Sequence, residues 1–378
     1  MREGWTYRKL VDECVILYGY PFDSKCFSSS NEDMPLIRIR DVKEGATSTY
    51  YKGDYSKEYI IHKGDYLIGM DGEFNISPWQ SDDALLNQRV CKISSNSSDV
   101  LMRYVYRFLV KELKKIEDET PFVTVKHLSA KKLNQITIPV PPLSEQQRIV
   151  SELDLLSSII EKKKAQLKEY DQLAQSIFYD MFGDPVTNEK GWEVKKLGEI
   201  GELARGVSKH RPRNAPELLG GSMPLIQTGD ISNSGMYITK YNSTYSELGV
   251  SQSKIWKAGT LCVTIAANIG KCAILTFDAC FPDSVVGFSY NKDYCNNEFI
   301  FCLFNSLQAI LEENAPAVAQ KNINLKILNE LKVPLPPLSL QQSFASKIES
   351  IERQKTLIQQ SIAEVQTLFD SRMDYYFN

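Results

Sequence analysis

Residues 137–147 read TIPVPPLSEQQ, and residues 332–342 read KVPLPPLSLQQ. The two segments lie 195 residues apart and share seven of their eleven positions. In each, a pair of prolines disfavours helix and holds the chain extended. A serine and, three residues later, a glutamine then form the pattern of a capping box. Each segment therefore predicts the start of a helix, with Ser144 and Ser339 as the N-caps.

The repetition continues outside these segments. Residues 64–68 match residues 259–263 at the same offset, and Trp5 and Leu10 match Trp192 and Leu197 at a slightly smaller one. Self-similarity at a fixed spacing is the signature of a repeated structural unit. The length of 378 residues is typical of two domains. The chain is therefore predicted to contain two copies of a unit of about 190 residues.

The first part of each unit has the pattern of a mixed α/β (α+β) domain. Short β-rich runs such as 65–70 and 260–265 alternate with turn residues. One amphipathic helix is predicted in each copy, over 101–117 and over 298–313, from apolar residues three and four positions apart. Runs of this mixed kind favour a compact domain with a core of its own.

The second part of each unit is predicted to be one long helix. Apolar residues recur there with a period near 3.5, which is typical of a coiled-coil seam. Each stripe has one gap, at Lys163 and at Lys355. The first stripe consists of Ile149, Leu153, Leu156, Ile160, Leu167, Tyr170, Ala174, Ile177 and Met181. The second consists of Phe344, Ile348, Ile351, Ile358, Ile362, Val365 and Phe369.

These helices are expected to pair with each other. An isolated helix with such a stripe would expose a large apolar surface, although each helix could instead cap its own domain. Because the first helix leads into the second domain, antiparallel pairing is the simplest topology, with pseudo-twofold symmetry. The predicted boundaries are 1–143 and 184–338 for the domains and 144–183 and 339–378 for the helices. About 38 residues would span roughly 57 Å.

Composition argues against catalysis by this chain. The three histidines, His62, His127 and His210, are scattered, and the eight cysteines form no C-x-x-C metal pattern. No complete phosphate-binding or dinucleotide-binding loop is present, so an autonomous enzyme is disfavoured. No apolar run has the length of a membrane span, and no secretion signal is evident, so a cytoplasmic location is expected. No metal or cofactor is expected in the chain.

Taken together, these features resemble the specificity subunit of Type I restriction–modification enzymes. Further similarity lies in Gly183-Asp184-Pro185 at the end of the first helix and in the segment Gly191–Glu199 that follows. The resemblance covers essentially the whole chain. It implies two target-recognition domains that each read one half of a bipartite site in double-stranded DNA, in a prokaryotic cytoplasm. It also implies that the helices space these domains and dock two methyltransferase subunits.

The same resemblance places all catalysis in partner subunits. S-adenosylmethionine would bind in the methyltransferase subunits, while ATP and magnesium would serve a restriction subunit that joins through them. The chain itself would hold no cofactor. The main alternative from the residues is a coiled-coil scaffold that binds proteins and does not read DNA, which the net charge of −3 favours.

Candidate DNA contacts come from local charge and from equivalent positions in the two copies. The basic segment Leu203–Asn214 lacks acidic residues and suits phosphate contact and guanine recognition, although it could equally be a solvated loop. In the second copy the candidates are Arg205, Lys209, His210, Arg211, Arg213, Gln227, Asn268, Lys271, Gln320 and Lys321. In the first copy they are Lys25, Arg38, Arg40, Lys43, Asn75, Arg89 and Lys126. The paired positions differ in residue type, so the two half-sites are expected to differ.

Overall fold

A computed structural model describes residues 4–121, 126–266, 269–313 and 325–378, without the side chains of 309–313. The chain divides into two compact units. Unit 1 comprises residues 1–164 together with 360–378, and unit 2 comprises residues 165–359. Each unit therefore contains part of both long helices. Within the described ranges, no helix combines the length and apolarity that a membrane crossing requires.

Unit 1 contains short strands, four short or medium helices, the beginning of the first long helix and the end of the second. The strands are β1 (Thr6–Lys9), β2 (Cys14–Tyr18), β3 (Phe27–Ser28), β4 (Met34–Ile37), β5 (Tyr50–Tyr51), β6 (Ile60–Ile61), β7 (Tyr66–Gly69), β8 (Asn75–Pro78), β9 (Ala84–Leu86), β10 (Val90–Ser95) and β11 (Thr137–Val140). The helices are α1 (Leu10–Glu13), α2 (Asp41–Glu44), α3 (Met102–Glu119), α4 (Ala130–Gln135) and α5 (Leu143–Phe182). Single 3₁₀ turns lie at Ser24–Cys26 and Lys57–Tyr59.

The strands of unit 1 form three sheets. The central sheet has the order β2-β10-β7-β8, in which all neighbours are antiparallel. A second sheet has the order β3-β5-β4-β9-β6, and β1 pairs with β11 in a third. One face of the central sheet packs against α3 through buried residues including Ile68, Ile93 and Phe108. The central sheet thus forms the core that supports the loops at its edge.

Unit 2 repeats this set of elements. Its strands are β12 (Glu193–Lys196), β13 (Gly201–Arg205), β14 (Leu219–Leu225), β15 (Tyr237–Ile238), β16 (Ser243–Tyr245), β17 (Ile255–Trp256), β18 (Leu261–Thr264), β19 (Cys272–Leu275), β20 (Ala279–Cys280), β21 (Val285–Tyr290) and β22 (Lys332–Leu335). Its helices are α6 (Leu197–Ile200), α7 (Thr228–Ser232), α8 (Glu247–Ser251), α9 (Asn297–Glu313), α10 (Leu325–Glu330) and α11 (Leu338–Phe377), with a 3₁₀ turn at Pro216–Leu218.

The sheets of unit 2 have the same topology as those of unit 1. The order β13-β21-β18-β19-β15 matches the central sheet of unit 1, with one added edge strand. The order β16-β14-β20-β17 corresponds to β5-β4-β9-β6 of the second sheet, without an equivalent of β3, and β12 pairs with β22 as β1 pairs with β11. The predicted duplication of a mixed α/β domain is therefore confirmed at the level of strand pairing.

The long helices run antiparallel where they meet within unit 1. Residues near the start of α5 contact residues near the end of α11: Tyr376 donates a hydrogen bond of 2.6 Å to Glu152, and Arg372 Nε lies 2.8 Å from the same carboxylate. Ile149 and Leu153 pack in one cluster with Met373 and Phe369. In addition, the buried Arg107 of α3 contacts Asp154 at 2.6 Å, so α5 is also fixed to the domain.

Within unit 2 the same antiparallel pairing joins the end of α5 to the start of α11. Phe178 and Phe182 pack edge-on against Phe344, and both also contact Phe299 of α9. These two phenylalanines lie next to the predicted stripe and are almost fully buried. Of the predicted seam, Ile149, Leu153, Leu156, Ile160, Phe344, Ile348, Ile351 and Ile358 are buried, while Leu167, Tyr170, Ile177, Ile362, Val365 and Phe369 are half-buried.

Lys355, at the gap in the second stripe, is an interhelical ion-pair position in unit 2. Its ammonium lies 2.7 Å from Asp171 of α5 and 2.7 Å from Glu352, and only 13% of its side chain is exposed. Burial opposes its charge, but the hydrogen bonds to the two carboxylates outweigh that effect and raise its pKa. A polar residue at such a seam position can specify helix register.

The predicted capping boxes are wrong. Helix α5 begins at Leu143, and the amide of Gln146 donates to the carbonyl of Pro142, so Ser144 lies inside the first turn. The side chain that fixes the start of α5 to the domain is the fully buried Gln146. It donates to the carbonyls of Asp99 and Pro141 and accepts from the amide of Leu101.

Gln341 makes the same three bonds in unit 2, to Tyr294, Pro336 and Asn296. The repeated motif therefore joins each long helix to the loop that precedes α3 or α9.

Candidate nucleic-acid interface

In unit 1, several loops meet at one end of the strands of the central sheet, where β2 and β7 end and β10 begins. This end of the sheet is called the edge. The amide of Met70 donates to the carbonyl of Arg89, and the amide of Leu128 donates to that of Met70. Residue Asp71 forms an isolated bridge with His127. We call residues 70–75, 87–89 and 126–128 the unit 1 edge. The loop that Gln146 of α5 contacts, at Asp99 and Leu101, follows the other end of β10. The edge and the contact with the long helix therefore lie at opposite ends of this strand.

The loop after β2 is also fixed to this edge by a glycine. The amide of Gly19 donates to the carbonyl of Val90, and a Cβ at this residue would lie 2.0 Å from the carbonyl oxygen of Asn87. Gly206 makes the corresponding bond to Val285 in unit 2, where a Cβ would lie 2.2 Å from the carbonyl oxygen of Phe281. Only glycine fits such a close approach of two backbone segments. In both units, the candidate DNA-contacting loop thus starts with an equivalent glycine that bonds to the first residue of the neighbouring strand.

Most basic candidates of unit 1 are paired with carboxylates. Lys43 bonds Glu73 at 2.7 Å, and Arg40 lies 3.6 Å from Asp41. Lys126, 19% of whose side chain is exposed, donates to the main-chain carbonyl of Glu117 and lies 4.0 Å from the carboxylate of the same residue.

Asp71 brings together residues that are far apart in the sequence. Its carboxylate lies 3.5 Å from Arg89 and also contacts His127. Arg89 has φ of 70° in this arrangement, a conformation that non-glycine residues adopt uncommonly. The charge of the unit 1 edge is therefore largely compensated within the protein.

Three other candidates of unit 1 have different environments. Arg38 is exposed, directly after β4, and its amide donates to Asp41 at 2.8 Å. Lys25 is exposed in the 3₁₀ turn before β3. Asn75 begins β8, opposite Gly69, and its side chain donates to the carbonyl of Glu73.

The unit 2 edge is built in the same way. The loop after β13 meets the start of β21, just after the turn that follows β20, through the bond from the amide of Gly206 to the carbonyl of Val285. The amide of Ile265, directly after β18, donates to the carbonyl of Ser284 in that turn. We call residues 265–266, 269–271 and 282–284 the unit 2 edge. Asn268, Gln320 and Lys321 lie outside the described residues.

The basic loop of unit 2 is anchored against this edge. Gln252 accepts hydrogen bonds from the amides of Lys209 and His210. Arg213 forms an ion pair with Asp283 at 2.7 Å, and Arg211 lies 3.8 Å from the same carboxylate. Arg211 also donates to the carbonyls of Ser208 and His210. These hydrogen bonds fix the backbone of the loop that carries the guanidinium groups of Arg211 and Arg213.

The remaining candidates of unit 2 lie on neighbouring segments. Arg205 ends β13 and is exposed, and Gln227 is exposed directly before α7. Lys271 lies 3.4 Å from Gln308 and lines a cavity of about 420 Å³, whose wall also includes Lys355. Among the described residues, Arg205 and Lys209 have no carboxylate within ion-pair distance, so their charges are available to a phosphate.

Sequence reasoning missed the carboxylates and amides that organise these loops. Asp41, Asp230 and Asp283 each hold a loop amide or a guanidinium, and Gln252 holds the basic loop. The sequence signal was the recurrence of an aspartate four residues after the apolar run Pro35–Ile37 and again four residues after Pro224–Ile226.

The cysteines offer little thiolate chemistry. Seven of the eight are buried, and burial raises the pKa of Cys14, Cys91, Cys295 and Cys302 to about 12. A thiol is a nucleophile or metal ligand mainly as the thiolate, which burial disfavours. Across the described ranges, no group of three or more His, Cys, Asp or Glu side chains could hold a metal ion.

Comparison with known sequences identifies a family. The family described as Type I restriction modification DNA specificity domain matches residues 2–169 and again residues 189–367. The EcoBI specificity subunit of Escherichia coli is 29% identical, with 98% of this chain and 85% of the relative covered. A putative Type I specificity subunit of Haemophilus influenzae is 22% identical, with 100% and 98% covered.

Comparison with solved structures supports the same fold. The S subunit of a Type I restriction–modification system from M. genitalium gives a TM-score of 0.57 at 14% identity, covering 98% of this chain and 95% of that one. A structure concerned with complex assembly and conformational transition of the Type I system gives 0.57 at 17% identity, covering 100% and 98%. These structures share the duplicated architecture of this chain.

Proposed function

The chain belongs to the family of Type I restriction–modification DNA specificity domains, and from this premise we propose that each unit reads one half of a bipartite DNA site. DNA target recognition is the function of the family. The assignment of one half-site to each unit rests on a single observation. The two units present matched edges on the same strand topology, and these edges carry different side chains. Equivalent scaffolds with different side chains favour recognition of two different half-sites.

Charge indicates that partner proteins contribute to DNA binding. The net charge is −3, whereas affinity for DNA depends on neutralising phosphates. Several cations of the unit 1 edge are already paired, so each must exchange a carboxylate for a phosphate on binding. We expect two methyltransferase subunits to dock on α5 and α11 and to complete the clamp around DNA. Restriction subunits would join through them.

No step of the chemistry is assigned to this chain. S-adenosylmethionine would bind in the methyltransferase subunits, and ATP and magnesium would serve the restriction subunits. The contribution of the chain is selection of the DNA sequence, through loops that are held by carboxylates such as those of Asp41, Asp230 and Asp283. Its antiparallel helices would set the distance between the half-sites.

Replacing Arg211 with alanine tests the division of the site. In the complex assembled with the methyltransferase partner, we expect Arg211→Ala to weaken DNA binding roughly 5- to 150-fold, the range for losing one good guanidinium contact. The change should relax the base preference of the second half-site only. Methylation of a library randomised in both half-sites measures this. The matched control is Lys292→Ala, which removes an exposed positive charge from the loop after β21 and should leave preference unchanged. Equal relaxation of both half-sites would contradict the assignment.

A further inference from the structure

The two units share a turn whose conformation is fixed by a buried aspartate. In unit 1, directly after β4, the carboxylate of Asp41 accepts the amide of Arg38 at 2.8 Å and the hydroxyl of Thr47 at 2.8 Å. In unit 2, directly after β14, the carboxylate of Asp230 accepts the amide of Gln227 at 2.8 Å and the side-chain amide of Asn242 at 2.7 Å. Arg38 and Gln227 therefore occupy the same position in the same turn.

This turn lies beside the edge in each unit. In unit 1, α2 packs on β7 and β8, and Lys43 of α2 is bonded to Glu73 in the edge. In unit 2, α7 packs on β18 and β19, which flank the corresponding loop. Asp41 and Asp230 are both less than 10% exposed, whereas Arg38 and Gln227 are exposed. The fold thus buries the aspartate and exposes, beside the edge, a side chain that differs between the two units.

The chemistry of the two exposed side chains differs in a way that matters for DNA. An arginine pairs bidentately with the O6 and N7 of guanine, and a glutamine with the N6 and N7 of adenine. Arg40, Lys43, Arg89 and Lys126 all have carboxylate partners. In the part of the chain that the structure describes, the guanidinium of Arg38 has no such partner. It can therefore pair with a base without first breaking an ion pair.

We infer that Arg38 and Gln227 are equivalent specificity-determining positions, one in each unit. Arg38 selects a guanine in the first half-site, and Gln227 selects an adenine in the second. The aspartates act as positioning residues, because each fixes the backbone amide of the residue that carries the exposed side chain. The inference rests on the proposed function, because it assigns one base pair in each half-site to a named residue.

Reciprocal substitution tests this inference. Complexes carrying Arg38→Gln or Gln227→Arg are assembled with the methyltransferase partner, and methylation of a randomised site library is sequenced. Arg38→Gln should reduce discrimination for guanine roughly 5- to 150-fold at one position of the first half-site. Gln227→Arg should do the same for adenine at one position of the second. The other half-site should keep its sequence in each case. Lys131→Gln, an equal charge change on an exposed residue of α4, is the control and should leave both half-sites intact.

The outcomes separate this inference from the proposed function. If the unmodified complex recognises no bipartite sequence, the proposed function fails. If it recognises one, but Arg38→Gln lowers binding to all sequences alike, Arg38 is a phosphate contact and the inference is overturned while the function stands. The inference would also be overturned if Arg38→Gln left the sequence of the first half-site unchanged. Asp41→Ala provides a second variant, since loss of the anchor should relax the same position of the first half-site as Arg38→Gln.

Discussion

Replacing Leu153 with proline is expected to unfold unit 1 and to abolish assembly with the methyltransferase subunits. Leu153 is fully buried in the cluster that joins α5, α11 and the domain. A proline inside a helix costs about 3 kcal/mol or more, because it removes a hydrogen bond and clashes with the preceding turn. Losing a buried leucine costs about 2–5 kcal/mol in addition. Together these approach the roughly 5–15 kcal/mol of a whole domain.

Two alanine substitutions control for this effect. Leu153→Ala should retain the helix and lose only the packing, about 2–5 kcal/mol. Leu155→Ala changes a side chain that is 61% exposed and should have almost no effect. Circular dichroism during urea unfolding and size-exclusion chromatography with the partner measure stability and assembly. Normal assembly of Leu153→Pro would contradict the packing of α5 against α11 in unit 1.

Replacing Gln146 with leucine is the second change with a large expected effect. The substitution retains the size of the side chain but leaves the amide of Leu101 and the carbonyls of Asp99 and Pro141 without this partner. Each buried group left unsatisfied costs about 1–3 kcal/mol. We therefore expect a loss of roughly 2–5 kcal/mol from unit 1.

The repeat provides matched controls for Gln146→Leu. Gln147→Leu changes the exposed neighbour and should be nearly neutral. Gln341→Leu should transfer the effect to unit 2, where the amide of Asn296 loses its acceptor. Hydrogen exchange detects this directly: Gln146→Leu should accelerate exchange at Leu101 and leave Asn296 protected, and Gln341→Leu should do the reverse. Equal acceleration at Leu101 by Gln147→Leu would mean that the buried side chain of Gln146 does not hold the loop before α3 against α5.

Repetition made the architecture predictable from the sequence. The segments at 137–147 and 332–342 located both long helices, and their 3.5-residue period indicated a partner for each. The short helices at 101–117 and 298–313 were located to within about two residues of α3 and α9. Antiparallel pairing followed from chain connectivity, and the contacts of Glu152 and Asp171 with α11 show it inside each unit.

The parts that were not predictable depend on tertiary contacts. Strands of two residues, such as Phe27–Ser28, carry no periodicity. Asp71, Arg89 and His127 meet only because three loops are paired at one edge. The capping interpretation of Ser144 failed because α5 begins before it, at Leu143. The side chain that joins this helix start to the domain is Gln146, which bonds to a loop more than 40 residues away, a contact that no local pattern contains. The identity of the bases read stays a prediction for the same reason, because loop conformation decides which side chains reach a groove.

Mapping methylated bases across the genome of cells with and without this chain tests the central claim most directly, namely that two units read two different half-sites. The account predicts that one bipartite motif, with non-identical halves and a fixed spacer, is methylated only when the chain is present. Methylation that follows a single continuous sequence, or that does not change when the chain is removed, would contradict it.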